Sequence, residues 1–169
     1  MEITYRGEGY AFAAVSYTRA DREDLVQAIF KIDEGPRVLI EQIEFTGRSA
    51  VPADDLAALF APSRLIFDRS SSSPFLQSEI QTGVSRVRDF YLARGYLDVT
   101  VGDPKFSFSE NRTRVSITIP LSEGRVYRLN DLRFRGDLPQ AAEESLHALR
   151  QEMIGKAYNR SQRLVVQSR

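Results

Sequence analysis

The chain has 169 residues, 42% hydrophobic and 27% charged, and its 23 basic and 23 acidic side chains give no net charge. This reads as a soluble globular chain of one ordinary or two small domains, without the basic field that draws in nucleic acid. The absence of cysteine excludes thiol catalysis, disulfides and thiolate zinc sites, and no apolar run approaches the roughly 18 residues of a membrane span.

The chain opens on MEITYRGEGY, which lacks the apolar core of a secretory signal. It reads either as a cytoplasmic start or as a piece of a longer chain. Internal repetition organises the rest. Gly9-Tyr10 recurs as Gly95-Tyr96, and Tyr5 as Tyr91, at a spacing of 86, so Met1–Glu8 is expected to be the end of a helix. Val26, Ala28, Phe30 and Ile32 alternate, as do Val115, Ile117, Ile119 and Leu121 at a spacing of 89. Alternation of this length predicts strands buried on one face. Glu34-Gly35 falls on Glu123-Gly124, and IEQIEFTG (Ile40–Gly47) on LNDLRFRG (Leu129–Gly136), at the same 89.

One complete unit therefore spans 37–124, with the C-terminal part of a unit in 1–36 and the N-terminal part of a further one in 125–169. The complete unit begins with a strand, Val38–Phe45. Val38 and Ile40 have one parity and Ile43 and Phe45 the other, which predicts a bulge near Glu41-Gln42 or a strand starting after Ile40. Gly47 ends the strand where a turn takes positive φ. Pro52 opens a short helix with Asp54 and Asp55 in its first turn, where acids favour the helix dipole, and Leu56, Leu59 and Phe60 on its apolar face. SRLIFDRSSSSPFLQ reads as a serine-rich mobile loop leading to Ser73 as an N-cap and Pro74 as the first residue of the next helix. That helix runs to about Arg94 with Ile80, Val84, Val87 and Tyr91 as its stripe, and Gly95 follows at C′.

Leu97–Phe108 then forms a second strand, interrupted at Gly102–Pro104. SENR (Ser109–Arg112) turns the chain, and Arg114–Leu121 returns as the third strand. In this β-α-α-β-β unit a right-handed crossover sets the first strand parallel to the last, giving sheet order 1-3-2 with both helices on one face and the second strand at an edge. In the last part, QAAEESLHALRQ is a first helix carrying His147 as an exposed residue, and Asn159 is a candidate N-cap for a second.

The order I-x-x-I-x-F-x-G, helix, helix, G-Y, hairpin, E-G, repeated at 89 residues, resembles tandem POTRA domains of BamA-type outer-membrane protein assembly factors. The resemblance covers the whole chain and implies an α+β fold of tandem three-stranded mixed sheets. The serine-rich loop departs from the pattern. TamA-like and two-partner secretion transporters also carry such modules.

The resemblance implies a non-enzymatic region on the periplasmic side of the outer membrane, held to the membrane by a C-terminal β-barrel beyond this chain. It would bind unfolded outer-membrane protein chains and accessory assembly proteins and assist insertion or translocation. The candidate partner edge is Leu97, Asp98, Val99, Thr100, Val101, Phe106 and Phe108, whose unpaired backbone groups suit an incoming strand, with a groove between it and the second helix. Glu34, Gly35, Glu123 and Gly124 are candidate joint residues, with the glutamates bonding backbone across the joint. The runner-up is a small nucleic-acid-binding module, against which stand the missing G-x-x-G loop, base-stacking pair and basic stripe. No cofactor, metal cluster, P-loop, nucleophile elbow or paired catalytic carboxylates are expected.

Overall fold

Val115, Ile117, Ile119 and Leu121 all point to one face of their strand and are all buried, the first three completely. Around them a computed structural model places the central module; it describes residues 2–22, 25–60, 73–135 and 140–159. The elements are α1 (Glu2–Arg6), β1 (Ala14–Arg22), β2 (Leu25–Asp33), β3 (Leu39–Thr46), α2 (Ala53–Ala57) with a 3-10 turn over Ala58–Phe60, α3 (Gln77–Ala93), β4 (Thr100–Val101), β5 (Lys105–Phe108), β6 (Arg114–Ser122) and α4 (Gln140–Met153).

β6 is the middle strand. β3 runs parallel to it on one side, and β4 and β5 run antiparallel on the other. This is the expected 1-3-2 order. The β3–β6 register slips between Ile40 and Gln42, where the change of parity called for a bulge. Leu56 and Phe60 from the first helical segment and Ile80, Val87 and Tyr91 from α3 share one core with Phe45 and the β6 residues. Both helical segments therefore cover the same sheet face. Gly47 has φ +82°, and a Cβ there would lie 2.1 Å from the Leu121 carbonyl oxygen, so only glycine lets β3 leave the sheet at this point.

Three expectations are corrected. Ser73-Pro74 does not start a helix; α3 begins at Gln77 with Leu76 at the N-cap. The Ser73 carbonyl instead accepts from Ile40 N–H at 2.8 Å, and Phe75 N–H donates to Val38 at 2.9 Å. Pro74, which has no N–H, sits between these two bonded groups, and Phe75 is buried. A backbone ladder and a buried ring outweigh a local capping preference. Second, Leu97–Val99 are not strand. They turn off the end of α3, with Leu97 N–H bonded to Gly95 and Val99 N–H to Tyr96. Third, LNDLRF (Leu129–Phe134), the counterpart of the first strand, is not strand; the isolated bridge lies just before it, Arg128 to Ala157, and among the described residues no strand lies beside it to complete a ladder. The serine-rich run up to Ser72 and the chain after Asn159 lie outside the described residues.

β1 and β2 form a separate hairpin with Tyr17 opposite Phe30. Val26 is 61% and Phe30 53% exposed, whereas their repeat counterparts Val115 and Ile119 are fully buried. Alternation prepares a face, and helices must then cover it.

Gly83 sits inside α3, where alanine ordinarily gains about 1 kcal/mol. Here a Cβ would meet the Phe60 ring at 2.2 Å. Overpacking costs about 1–3 kcal/mol, so Gly83→Ala is expected to lower stability in urea unfolding despite its better helix propensity. A gain in stability would contradict this packing.

Candidate functional site

The second strand of the module is split. Val101 pairs with Leu121 and Lys105 with Thr118, so the register changes by one residue across Gly102–Pro104. The N–H of Ser109 donates to the Arg114 carbonyl at 3.0 Å. Antiparallel ladders alternate bonded and non-bonded pairs. Ser107 and Lys105 are therefore bonded toward Ser116 and Thr118, and the N–H and C=O groups of Phe106 and Phe108 face the other way. Among the described residues no strand pairs with that side of β5.

The predicted edge thus contracts. Thr100, Val101, Phe106 and Phe108 lie on the outer strand; Leu97, Asp98 and Val99 do not. Val99 is core. Asp98 belongs to a joint: it accepts a 2.7 Å hydrogen bond from the Tyr127 hydroxyl, which itself accepts one from Arg125 Nε at 3.0 Å.

The side chains of Phe106 and Phe108 point to the helix side, where Phe75 meets them edge-to-face at 5.1 and 5.8 Å between ring centres. Phe12, from before the module, packs on Phe108 at 5.0 Å. Together with Arg6, Ala11 and Gln77 they line a cavity of about 230 Å³.

The two joints share one construction. Gly9 and Gly95, both at positive φ, end their helical segments, and each carbonyl accepts an N–H from just after the following Glu-Gly pair: Val38, immediately before β3, at 2.9 Å and Tyr127 at 2.8 Å. The carbonyls of Val38 and Tyr127 then accept Phe75 N–H and Tyr158 N–H, each at 2.9 Å. Asn159, the expected N-cap, follows Tyr158 as Leu76 follows Phe75; the helix it would open lies outside the described residues. A Cβ on Gly9 would lie 3.0 Å from that of Pro74, and one on Gly95 would lie 3.1 Å from that of Ala157. Each glycine is required both by its φ and by the chain packed against it.

Glu123 does something other than the sequence suggested. It is 6% exposed, and its partners lie inside the module rather than across the joint. It accepts from Ser49 Oγ at 2.6 Å, Ala50 N–H at 3.0 Å and the Tyr91 hydroxyl at 2.7 Å. It thereby ties the loop after β3 and the last turn of α3 to the end of β6. Burial pushes its carboxyl up, but the hydrogen bonds from Ser49, Tyr91 and Ala50 outweigh that and hold it down at about 2. Burial first, then the bond to Glu123, raises the Tyr91 hydroxyl above its ordinary value. Tyr5 and Glu34 occupy the corresponding positions; desolvation first, then the charge of exposed Glu34, raises the Tyr5 hydroxyl. The Tyr5–Tyr10 and Tyr91–Tyr96 rings both cross at 85°. Gly35 and Gly124, at φ +64° and +69°, approach Phe12 and Asp98 respectively.

Spacing alone could have paired Tyr91 with Glu123, because Tyr5 and Glu34 repeat both residues. It carried no signal for Phe12. His147 is exposed on α4. Among the described residues no group of three or more His, Cys, Asp or Glu is placed to hold a metal, and no helix is long and apolar enough to cross a membrane.

Residues 38–124 match the POTRA family, described as a surface antigen variable number repeat. The chain is similar to the outer membrane protein assembly factor BamA of Buchnera aphidicola, 28% identical over 109 residues that make up 63% of this chain and 18% of that protein. It is also similar to BamA of Neisseria meningitidis, 27% identical over 137 residues, 80% of this chain and 17% of that protein. It thus spans less than a fifth of the curated relatives it matches. A crystal structure of Haemophilus influenzae BamA POTRA3-5 aligns with TM-score 0.48 and 21% identity, covering 92% of this chain and 59% of that one.

Glu123 tests the clamp. A lowered folded-state carboxyl contributes stability that is fully present above its ordinary value of 4.5 and is lost as pH falls toward about 2. Glu123→Gln is expected to lower stability at pH 7 by about 1–3 kcal/mol. It should also flatten the acid limb between about pH 5 and pH 2. Urea midpoints at pH 7 and pH 3 measure both; an unchanged acid limb would remove the clamp from the account.

Proposed function

The chain belongs to the POTRA family, and from that premise we propose that it is part of the periplasmic region of an outer-membrane protein that receives unfolded β-barrel clients. Residues 37–124 form the whole unit, 1–36 the end of the unit before it, and 125–169 the beginning of the unit after it. The parent holds the membrane through a C-terminal β-barrel, and accessory assembly proteins share the periplasmic surface.

The observation that carries this reading is the outer side of β5. Phe106 and Phe108 direct their backbone N–H and C=O groups away from β6 while their rings line the groove beside α3. A strand added here is held by backbone bonds, which read extended shape in preference to sequence. That suits clients that share only an alternating pattern. Pro104 and the register change above it interrupt the ladder toward Val101, so the receiving edge is short. A short edge resists pairing with its own kind yet still accepts a client strand. The repeated joints set the angle at which each edge is presented.

A titration of isotope-labelled protein with a synthetic ten-residue peptide of alternating Val and Thr tests this. The amides of Phe106 and Phe108 should shift and gain exchange protection, while those of Lys105 and Ser107, already bonded to β6, gain none. Shifts confined to other surfaces would sink the proposal.

A further inference from the structure

We infer, resting on the reading of β5 as the receiving edge, that the receiving site is composite: the unit preceding the joint supplies one wall of it, and its occupant is a single bulky apolar side chain on the incoming strand. The cavity beside Phe106 and Phe108 measures about 230 Å³. That is below the roughly 300–1,000 Å³ of small-molecule sites and suits one side chain. Its floor is Phe75, packed edge-to-face against both β5 rings. Its far wall is Ala11 and Phe12, with Arg6 beside them, all from before the joint.

Phe12 is held in place from two sides. The Phe108 ring meets it at 5.0 Å, and the Arg112 guanidinium lies 4.7 Å over its face. The Gly9–Val38 hydrogen bond fixes the backbone that carries it. Side chains opposite one another on adjacent strands share a face, with Cβ atoms about 4.5–5.5 Å apart. An added strand bonded to Phe106 and Phe108 therefore lays the side chain opposite Phe108 over this cavity. Its neighbours in sequence turn to the other face, beside Lys105, Ser107 and Ser116. The partner is an extended strand, apolar at that position and polar at the flanking ones. Phe12 acts as a specificity-determining residue, and the preference it confers depends on the joint.

Two ten-residue peptides of alternating Thr and Ser serve as probes, one with a central Phe and one with Ala in its place. Burial of the larger ring predicts about tenfold tighter binding of the Phe peptide to the full chain. In Phe12→Ser that ratio should fall below about threefold, while Phe106 and Phe108 amides still gain protection from either peptide. Phe12→Leu should restore most of it. Unchanged protection of the Val115 and Ile117 amides shows that each variant keeps its core. If the ratio survives in Phe12→Ser, the composite wall is wrong and the edge reading stands. If neither peptide protects the β5 amides in the native chain, the edge reading and the inference fall together.

Discussion

The organising interaction is one backbone hydrogen bond used twice. The glycine that ends a helical segment offers its carbonyl to an N–H just after the next Glu-Gly pair, Gly9 to Val38 and Gly95 to Tyr127. That residue passes the connection on through its own carbonyl to Phe75 or Tyr158, and Phe75 immediately precedes Leu76, the N-cap of α3. At the first joint, helix end, strand start and helix start are thus linked in series. Each bond contributes only about 0.5–1.5 kcal/mol net. The constraint is strong because the donors and acceptors are backbone groups, which have no rotamers with which to escape. The glycines are indispensable here: positive φ is required at both, and Pro74 or Ala157 occupies the space that a side chain would need.

Within the unit, Glu123 performs the corresponding service. One carboxylate gathers Ser49, Ala50 and Tyr91, so the loop leaving β3 and the end of α3 are fixed relative to the residue that begins the joint. Gly124 follows at once with its Cβ position 3.0 Å from that of Asp98, and Asp98 receives Tyr127. Clamp and joint are therefore contiguous. Displacing the carboxylate would disturb both the core and the placement of the following unit. Tyr5 and Glu34 repeat the tyrosine–glutamate pair, but at an exposed site, so the buried clamp belongs to the central unit.

Much of this was legible in the sequence because repetition and alternation are local properties. The parity change between Ile40 and Ile43 predicted the bulge, the Val115–Leu121 alternation predicted the buried face, and the hairpin with a right-handed crossover predicted the middle strand. The stripe Ile80–Val84–Val87–Tyr91 predicted which side of α3 is covered. What failed was decided by distant backbone. Ser73-Pro74 satisfies every local rule for a helix start and yet pairs with β3, because the groups that claim it, Val38 and Ile40, are far away in sequence. Asp98 looked like a strand residue because nothing nearby revealed Tyr127. Phe12 lies between a turn and a strand, and its role depends on a neighbour, Phe108, that only the folded joint brings within reach.

Function on this account rests on units that hold a defined relation, so that an edge on one and a wall from another form one receiving surface. Amide hydrogen exchange on the unmodified chain addresses that relation directly, at Val38, Phe75, Tyr127 and Tyr158. The account predicts that all four are protected to an extent comparable with Ile117 and Ile119 in the middle strand. Exchange of Val38 and Tyr127 at the rate of unbonded amides, with the middle strand still protected, would contradict it, leaving well-folded units without a joint between them.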